Sequence, residues 1–329
     1  MDKKLIKIET TKDKKMLDIR WDPSNVCNFK CRYCEPINHN GIFKSPNDLD
    51  LIVDNFSHIL DQYKNKLNKE KFRLTMAGGE PTLWKDLSTF ISKIKDKNDV
   101  YVSIVSNGSR TLRWWIKNGH LIDNLTLSLH VKEADISHSI AVADLMHGLG
   151  VKTTVKVMMD PLDWDNCVNA VETMKTKSNK RWFIIVAKII GFEEYTTEQL
   201  DYLKDSLKRM PSISWFWKNR KLMLDGLMTK YESVATFDNL SKINATSFMY
   251  VNENLNYFKG WKCNLGIENI YISYSGELQG SCSQKLYNGN MNILDRDFIK
   301  NFNLDINPVN CEQLRCECIP ETHITKFIK

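Results

Sequence analysis

The chain has 329 residues, 42% of them hydrophobic, and a formal net charge of +6, enough for one large barrel-like domain with a smaller appendage. No apolar run approaches the roughly 20 residues that cross a bilayer, and the opening MDKKLIKIETTKDKK has no apolar signal-peptide core. These features exclude a membrane-spanning helix and lead us to expect a cytoplasmic protein. Dispersed lysines (Lys3, Lys4, Lys12, Lys14, Lys15) read as a solvated face, and no basic stripe interleaved with aromatics favours nucleic acid as a partner. Trp114, Trp115 and Trp215-Phe216-Trp217 read as core or pocket walls.

In chain order, strands are predicted at 16–22, 72–77, 100–106, 124–130, 151–159 and 181–190, with helices near 46–66, 85–96, 111–119, 137–149 and 164–177. Strands that alternate with helices imply parallel pairing through right-handed crossovers. Curled, that sheet is an α/β fold, a partial (β/α)6 TIM-like barrel over residues 1–192. A helix at 198–210 opens a connecting region of short strands and turns over 193–260. Residues 261–329 are read as a small cysteine-rich α+β extension, containing a hairpin IENIYISYSGELQGSC that turns at Ser275-Gly276.

Nine cysteines, an odd total, fit poorly with a complete set of disulfides. Cys27, Cys31 and Cys34 follow the first strand, Cys263, Cys282, Cys311, Cys316 and Cys318 lie near the end, and Cys167 stands apart as a buried thiol. The two groups suggest two metal centres. In CNFKCRYC, three thiolates on one loop can bind three irons of a cube and leave the fourth open. The alternative is a zinc knuckle, for which His39 could be the fourth ligand.

Cys27-x3-Cys31-x2-Cys34, with the aromatic Tyr33 before the last cysteine, resembles the signature of the radical S-adenosylmethionine superfamily. The resemblance extends to Gly78-Gly79-Glu80-Pro81, about 45 residues beyond the triad at a predicted strand end. It implies a [4Fe–4S] cluster on the three cysteines, with S-adenosylmethionine (SAM) chelating the open iron and reductively cleaved to a 5′-deoxyadenosyl radical. The glycines would let backbone approach the methionine amino group. Ser128 and His130 would face the ribose, although many members carry an acid where His130 stands. Ser106 and Asn107 resemble a common TNG motif, and Val157, with Val155, would pack against adenine or in the core. An electron donor such as flavodoxin or ferredoxin is implied.

The C-terminal cysteines resemble the shortened twitch form of the SPASM extension, which holds one auxiliary [4Fe–4S] cluster. Five cysteines stand for four places, since Cys311-x4-Cys316-x-Cys318 departs from the usual C-x2-C ending; structural zinc is the alternative. The expected activity is hydrogen abstraction from a small metabolite or peptide. Only 26 residues precede Cys27, which favours the smaller molecule over a leader-bearing peptide. The alternatives are radical modification of a nucleotide or nucleic acid base, tested by salt-sensitive polynucleotide binding, and a non-catalytic iron–sulfur protein.

Overall fold

The computed structural model describes residues 3–179, 181–189, 195–208, 232–280, 282, 284, 286–287, 291–316 and 319–328. Strands β2 (Met16–Trp21), β3 (Lys71–Met76), β4 (Val100–Ser106), β5 (Asn124–Leu129), β6 (Lys152–Met159) and β7 (Phe183–Lys188) pair in parallel in chain order. Between them run α1 (Leu49–Leu67), α2 (Leu87–Lys97), α3 (Leu112–Asn118), α4 (Ile136–Gly148) and α5 (Trp164–Ser178), and α6 (Thr197–Lys208) follows β7. The alternating β/α order and the parallel sheet agree with the predicted α/β architecture.

Local chemistry sets these boundaries. Asp48, Thr111 and Asp135 cap α1, α3 and α4 by accepting hydrogen bonds from Leu51, Trp114 and His138 amides. Asn68 and Asn179 close α1 and α5 with φ of 51° and 42°, a left-handed conformation that asparagine tolerates. The α1 residues Ile52, Val53, Phe56, Ile59, Leu60 and Tyr63 recur at helical spacing and are buried. Each strand sends alternate residues outward to the helices: Leu17, Ile19 and Trp21 of β2 join Leu74 and Met76 of β3 in the core. The residues between them, Asp18, Arg20, Arg73 and Thr75, face inward.

Two pairings are absent from the sequence-based expectation. The extension strand β11 (Asn269–Ile272) pairs in parallel with β2, setting Ile270 beside Ile19, and pairs antiparallel with β12 (Leu278–Gln279). The hairpin turn lies at Gly276, where φ is +86°. Barrel and extension therefore share one eight-stranded sheet. The lysine-rich lead contains a strand, β1 (Leu5–Thr10), which pairs with β8 (Ser233–Phe237) and with β14 (Lys326–Phe327). With β9 (Lys242–Ala245), β10 (Lys262–Cys263) and β13 (Val309–Asn310), these form a six-stranded second sheet. In the connecting region, β8, β9 and a helix, α7 (Ser247–Asn252), are formed, while Trp215-Phe216-Trp217 lie outside the described residues. No helix among the described residues is long and apolar enough to cross a membrane.

Candidate active site

The C-terminal ends of β2, β3, β4 and β5 bring Cys27, Gly78, Ser106 and His130 to one rim, the end where parallel α/β folds place their chemistry. The cysteine loop is held from both sides. Buried Asn25 donates to Ile37 O at 2.6 Å and to Asn40 Oδ1 at 2.7 Å, and accepts from the Phe43 amide at 2.9 Å. Asn25 thereby closes the loop around the three thiols, a role its place in the sequence gave no sign of. Arg32, between Cys31 and Tyr33, bridges to Asp160 at the end of β6, with Nε 2.9 Å from Oδ2.

All three thiols are free, and Cys27 and Cys34 are partly exposed. Burial pushes the Cys31 thiol up to about 12, with the neighbouring Cys34 and Glu133 adding to it. Burial likewise raises Cys27 and Cys34. Among the described residues, no three His, Cys, Asp or Glu side chains close on a single metal ion. His39 instead lies 3.3 Å from the Cys34 carbonyl. Three thiols on one loop are the donor set that grips a cubane, each thiolate reaching a different iron. The donor set fits the cluster.

The glycine motif meets the cysteine loop directly. The Gly79 amide donates to Ser24 O at 3.0 Å and the Glu80 amide to Val26 O at 2.7 Å. A Cβ on Gly79 would stand 2.3 Å from Val26 O, and Gly78, with φ of +103°, would bring one 2.6 Å from Ser24 O. Gly79 thus also closely approaches the backbone that carries Cys27. Glu80 is buried, and its carboxylate accepts from the Thr82 amide and hydroxyl, Ser106 Oγ at 2.8 Å and the Asn107 amide at 2.6 Å. Burial raises its pKa while these bonds pull it back. Pro81, buried, opens the short helical turn Pro81–Leu83. Asn107 continues the chain of contacts, donating to Asn28 Oδ1 at 3.0 Å with its Nδ2 3.9 Å from Cys27 Sγ.

On the opposite side, Tyr33 stacks on His130 at 5.7 Å between centroids, with hydroxyl and Nδ1 2.7 Å apart. Burial first, and then Lys156, hold His130 down to about 4, so the ring is neutral at physiological pH. Register sets Ser128 beside Lys156 and Leu129 beside Val157. Ser128 and Lys156 share the inner face. Val157 and Val155 lie wholly buried in the core, on the face packed by α4 and α5.

Cys263, Cys282 and Cys311 each feel Cys316 electrostatically, while Cys318 lies outside the described residues. Burial raises Cys263 to about 11, and Cys316 adds to it. Burial raises Cys282 to about 12, with Cys316 and Cys263 adding to it. Cys167 is buried, as expected, with its Sγ 3.5 Å from Met158 O.

A family model described as the radical SAM superfamily matches residues 21–199, more than half of the chain. The chain is 30% identical over 183 residues to a probable GTP 3′,8-cyclase of Sulfurisphaera tokodaii, covering 54% of this chain and 54% of that protein. It is also 30% identical over 117 residues to an S-adenosylmethionine-dependent nucleotide dehydratase of a Fibrobacter species, covering 35% of this chain and 34% of that protein. It therefore spans about half the length of the cyclase and a third of the dehydratase. In fold it is similar to Streptococcus suis SuiB bound to S-adenosylmethionine (TM-score 0.52, 15% identity, 88% of this chain and 65% of that one). It is similar too to anSMEcpe with bound AdoMet (TM-score 0.51, 18% identity, 87% of this chain and 81% of that one). With the cysteine triad and the glycine motif on one rim, and the family match running from β2 into α6, the chain belongs to the radical SAM superfamily, whose enzymes use a [4Fe–4S] cluster and SAM.

Proposed function

We propose that this enzyme abstracts hydrogen from a small anionic substrate, carrying phosphate or carboxylate, held at the barrel mouth by Lys156 and Arg20. When bound, the cluster and SAM supply a 5′-deoxyadenosyl radical. Cys27, Cys31 and Cys34 hold the cluster, and Gly78, Gly79, Glu80, Ser106 and Asn107 fix the loops around it. Ser128 and the neutral His130 offer polar groups to SAM, and Tyr33 covers its side of the site.

The observation that carries the substrate class is Lys156. It lies on the inner face of β6, mostly buried, and no hydrogen bond or ion pair to it is found among the described residues. Burial, then the charge of Arg20, push its ammonium below the ordinary lysine value. Arg20 keeps one anion, Asp22, at 3.3 Å, and lies over the Tyr271 ring. A partly buried cation that feels a second cation nearby favours an anionic ligand beside it. The likeness to a GTP cyclase and a nucleotide dehydratase supports a nucleotide over a peptide.

The test uses reconstituted enzyme, dithionite, SAM and either GTP, CTP or guanosine. A nucleoside triphosphate is expected to raise 5′-deoxyadenosine formation where guanosine does not, and Lys156→Gln is expected to abolish the difference with SAM affinity unchanged. If Lys156→Gln instead weakens SAM binding and leaves nucleotide stimulation intact, the lysine serves the methionine carboxylate and the anionic-substrate reading falls.

We also propose that Cys263, Cys282, Cys311 and Cys316 hold an auxiliary [4Fe–4S] cluster. Their mutual electrostatic influence supports this.

A further inference from the structure

Lys326 occupies β14, the strand between β1 and β10, where its Cα pairs with that of Cys263. Only 2% of it is exposed. Its Nζ donates to the carbonyls of Glu321, Thr322 at 3.2 Å and Ile324 at 3.3 Å, and lies 5.3 Å from the Phe258 ring centroid. No carboxylate within 4.0 Å pairs with it among the described residues. Burial opposes its charge, and the groups whose ionised forms favour it are Cys263 and Cys316, then Glu321, then Cys311.

A buried ammonium is costly unless an anion compensates it, and three carbonyl dipoles fall short of a full counter-charge. A four-thiolate [4Fe–4S] centre carries net negative charge, and one more on reduction. The burial that pushes the cysteine thiols up opposes the thiolates such a centre needs; a fixed cation among them acts the other way.

We propose that Lys326 is the counter-ion of the auxiliary centre, holding its thiolates and raising its reduction potential. This rests on the reading that the C-terminal cysteines bind a cluster. In the one-electron reduction, the electron comes from a chemical reductant such as dithionite, the cluster gains it, and Lys326 keeps its proton in both states. The nearby ammonium favours the more negative, reduced form.

The test is an EPR-monitored redox titration of the reconstituted full chain in a Cys27→Ala, Cys31→Ala, Cys34→Ala background, so that the C-terminal centre alone is observed. Lys326→Met removes the charge at similar volume, and Lys326→Arg keeps it. The expected result is a midpoint lowered in Lys326→Met by at least about 59 mV, tenfold for a one-electron couple, with Lys326→Arg near the parent. Loss of iron from natively folded Lys326→Met, with iron retained in Lys326→Arg, supports the proposal equally. An unchanged midpoint in Lys326→Met, or equal loss of iron from both variants, overturns it. A folded parent without iron overturns the auxiliary-cluster reading itself, before Lys326 is tested.

Discussion

The Glu80 carboxylate accepts a 2.6 Å hydrogen bond from the Asn107 backbone amide, joining the loop after β3 to the loop after β4 where Asn107 reaches Asn28 of the cysteine loop. Four donors converge on that carboxylate. Glu80→Gln keeps the shape and sets an NH2 group among donors. We expect a loss of about 1–3 kcal/mol, the cost of leaving a buried group unsatisfied, read as a lower denaturant midpoint of the metal-free protein. An unchanged midpoint would mean that the loops hold together without Glu80.

Gly79→Ala tests whether the glycine motif serves the cysteine loop as well as the cofactor. Because the added Cβ meets Val26 O at 2.3 Å and the Asn25 carbonyl carbon at 2.7 Å, it displaces backbone that carries Cys27. N-terminal iron incorporation and SAM affinity should therefore fall together. Loss of SAM binding with full iron would restore the simpler expectation that Gly79 serves the cofactor alone.

His130 gives a pH dependence. Its folded pKa is held down to about 4, by burial and then by Lys156, while an unfolded histidine titrates near 6.5. Between these values the unfolded state binds more protons. The contribution of neutral His130 is therefore complete above about pH 6.5 and is lost as the pH falls toward 4, amounting to about 3 kcal/mol at most. Thermal melts of the metal-free protein from pH 7 to 4 should fall more steeply than those of His130→Gln. Parallel curves would contradict the assignment.

Much of this was legible in the sequence, for physical reasons. The six barrel strands and five intervening helices could be placed closely because several bury one face on a regular period, as in α1, β3 and β5, and strand and helix patterns alternate along the chain. The rim was legible because Cys27, Gly78 and Ser106 each follow a strand. β1 was not, since its buried residues Leu5 and Ile8 break strict alternation and its partners, β8 and β14, are far away in sequence. The pairing of β11 with β2 was hidden too, because local pattern carries no record of a distant neighbour. Lys156 was overlooked although Lys152, Thr154 and Lys156 alternate with Thr153, Val155 and Val157; the valines were weighed and the polar face opposite was not. Lys326 gave no local signal at all.

The iron content separates the two centres. Reconstituted protein should carry about eight irons per chain, two four-iron clusters, and Cys263→Ala with Cys282→Ala should leave about four. Saturation at four irons with zinc in the C-terminal site would rule out the auxiliary cluster.

The most direct test is 5′-deoxyadenosine formation by anaerobically reconstituted enzyme given SAM and dithionite. The account predicts that the compound accumulates, that replacing Cys27, Cys31 and Cys34 with alanine abolishes it, and that replacing Cys263 and Cys282 in a folded variant does not. Formation that survives loss of the N-terminal triad, or none from protein with that cluster full and reduced, would contradict it.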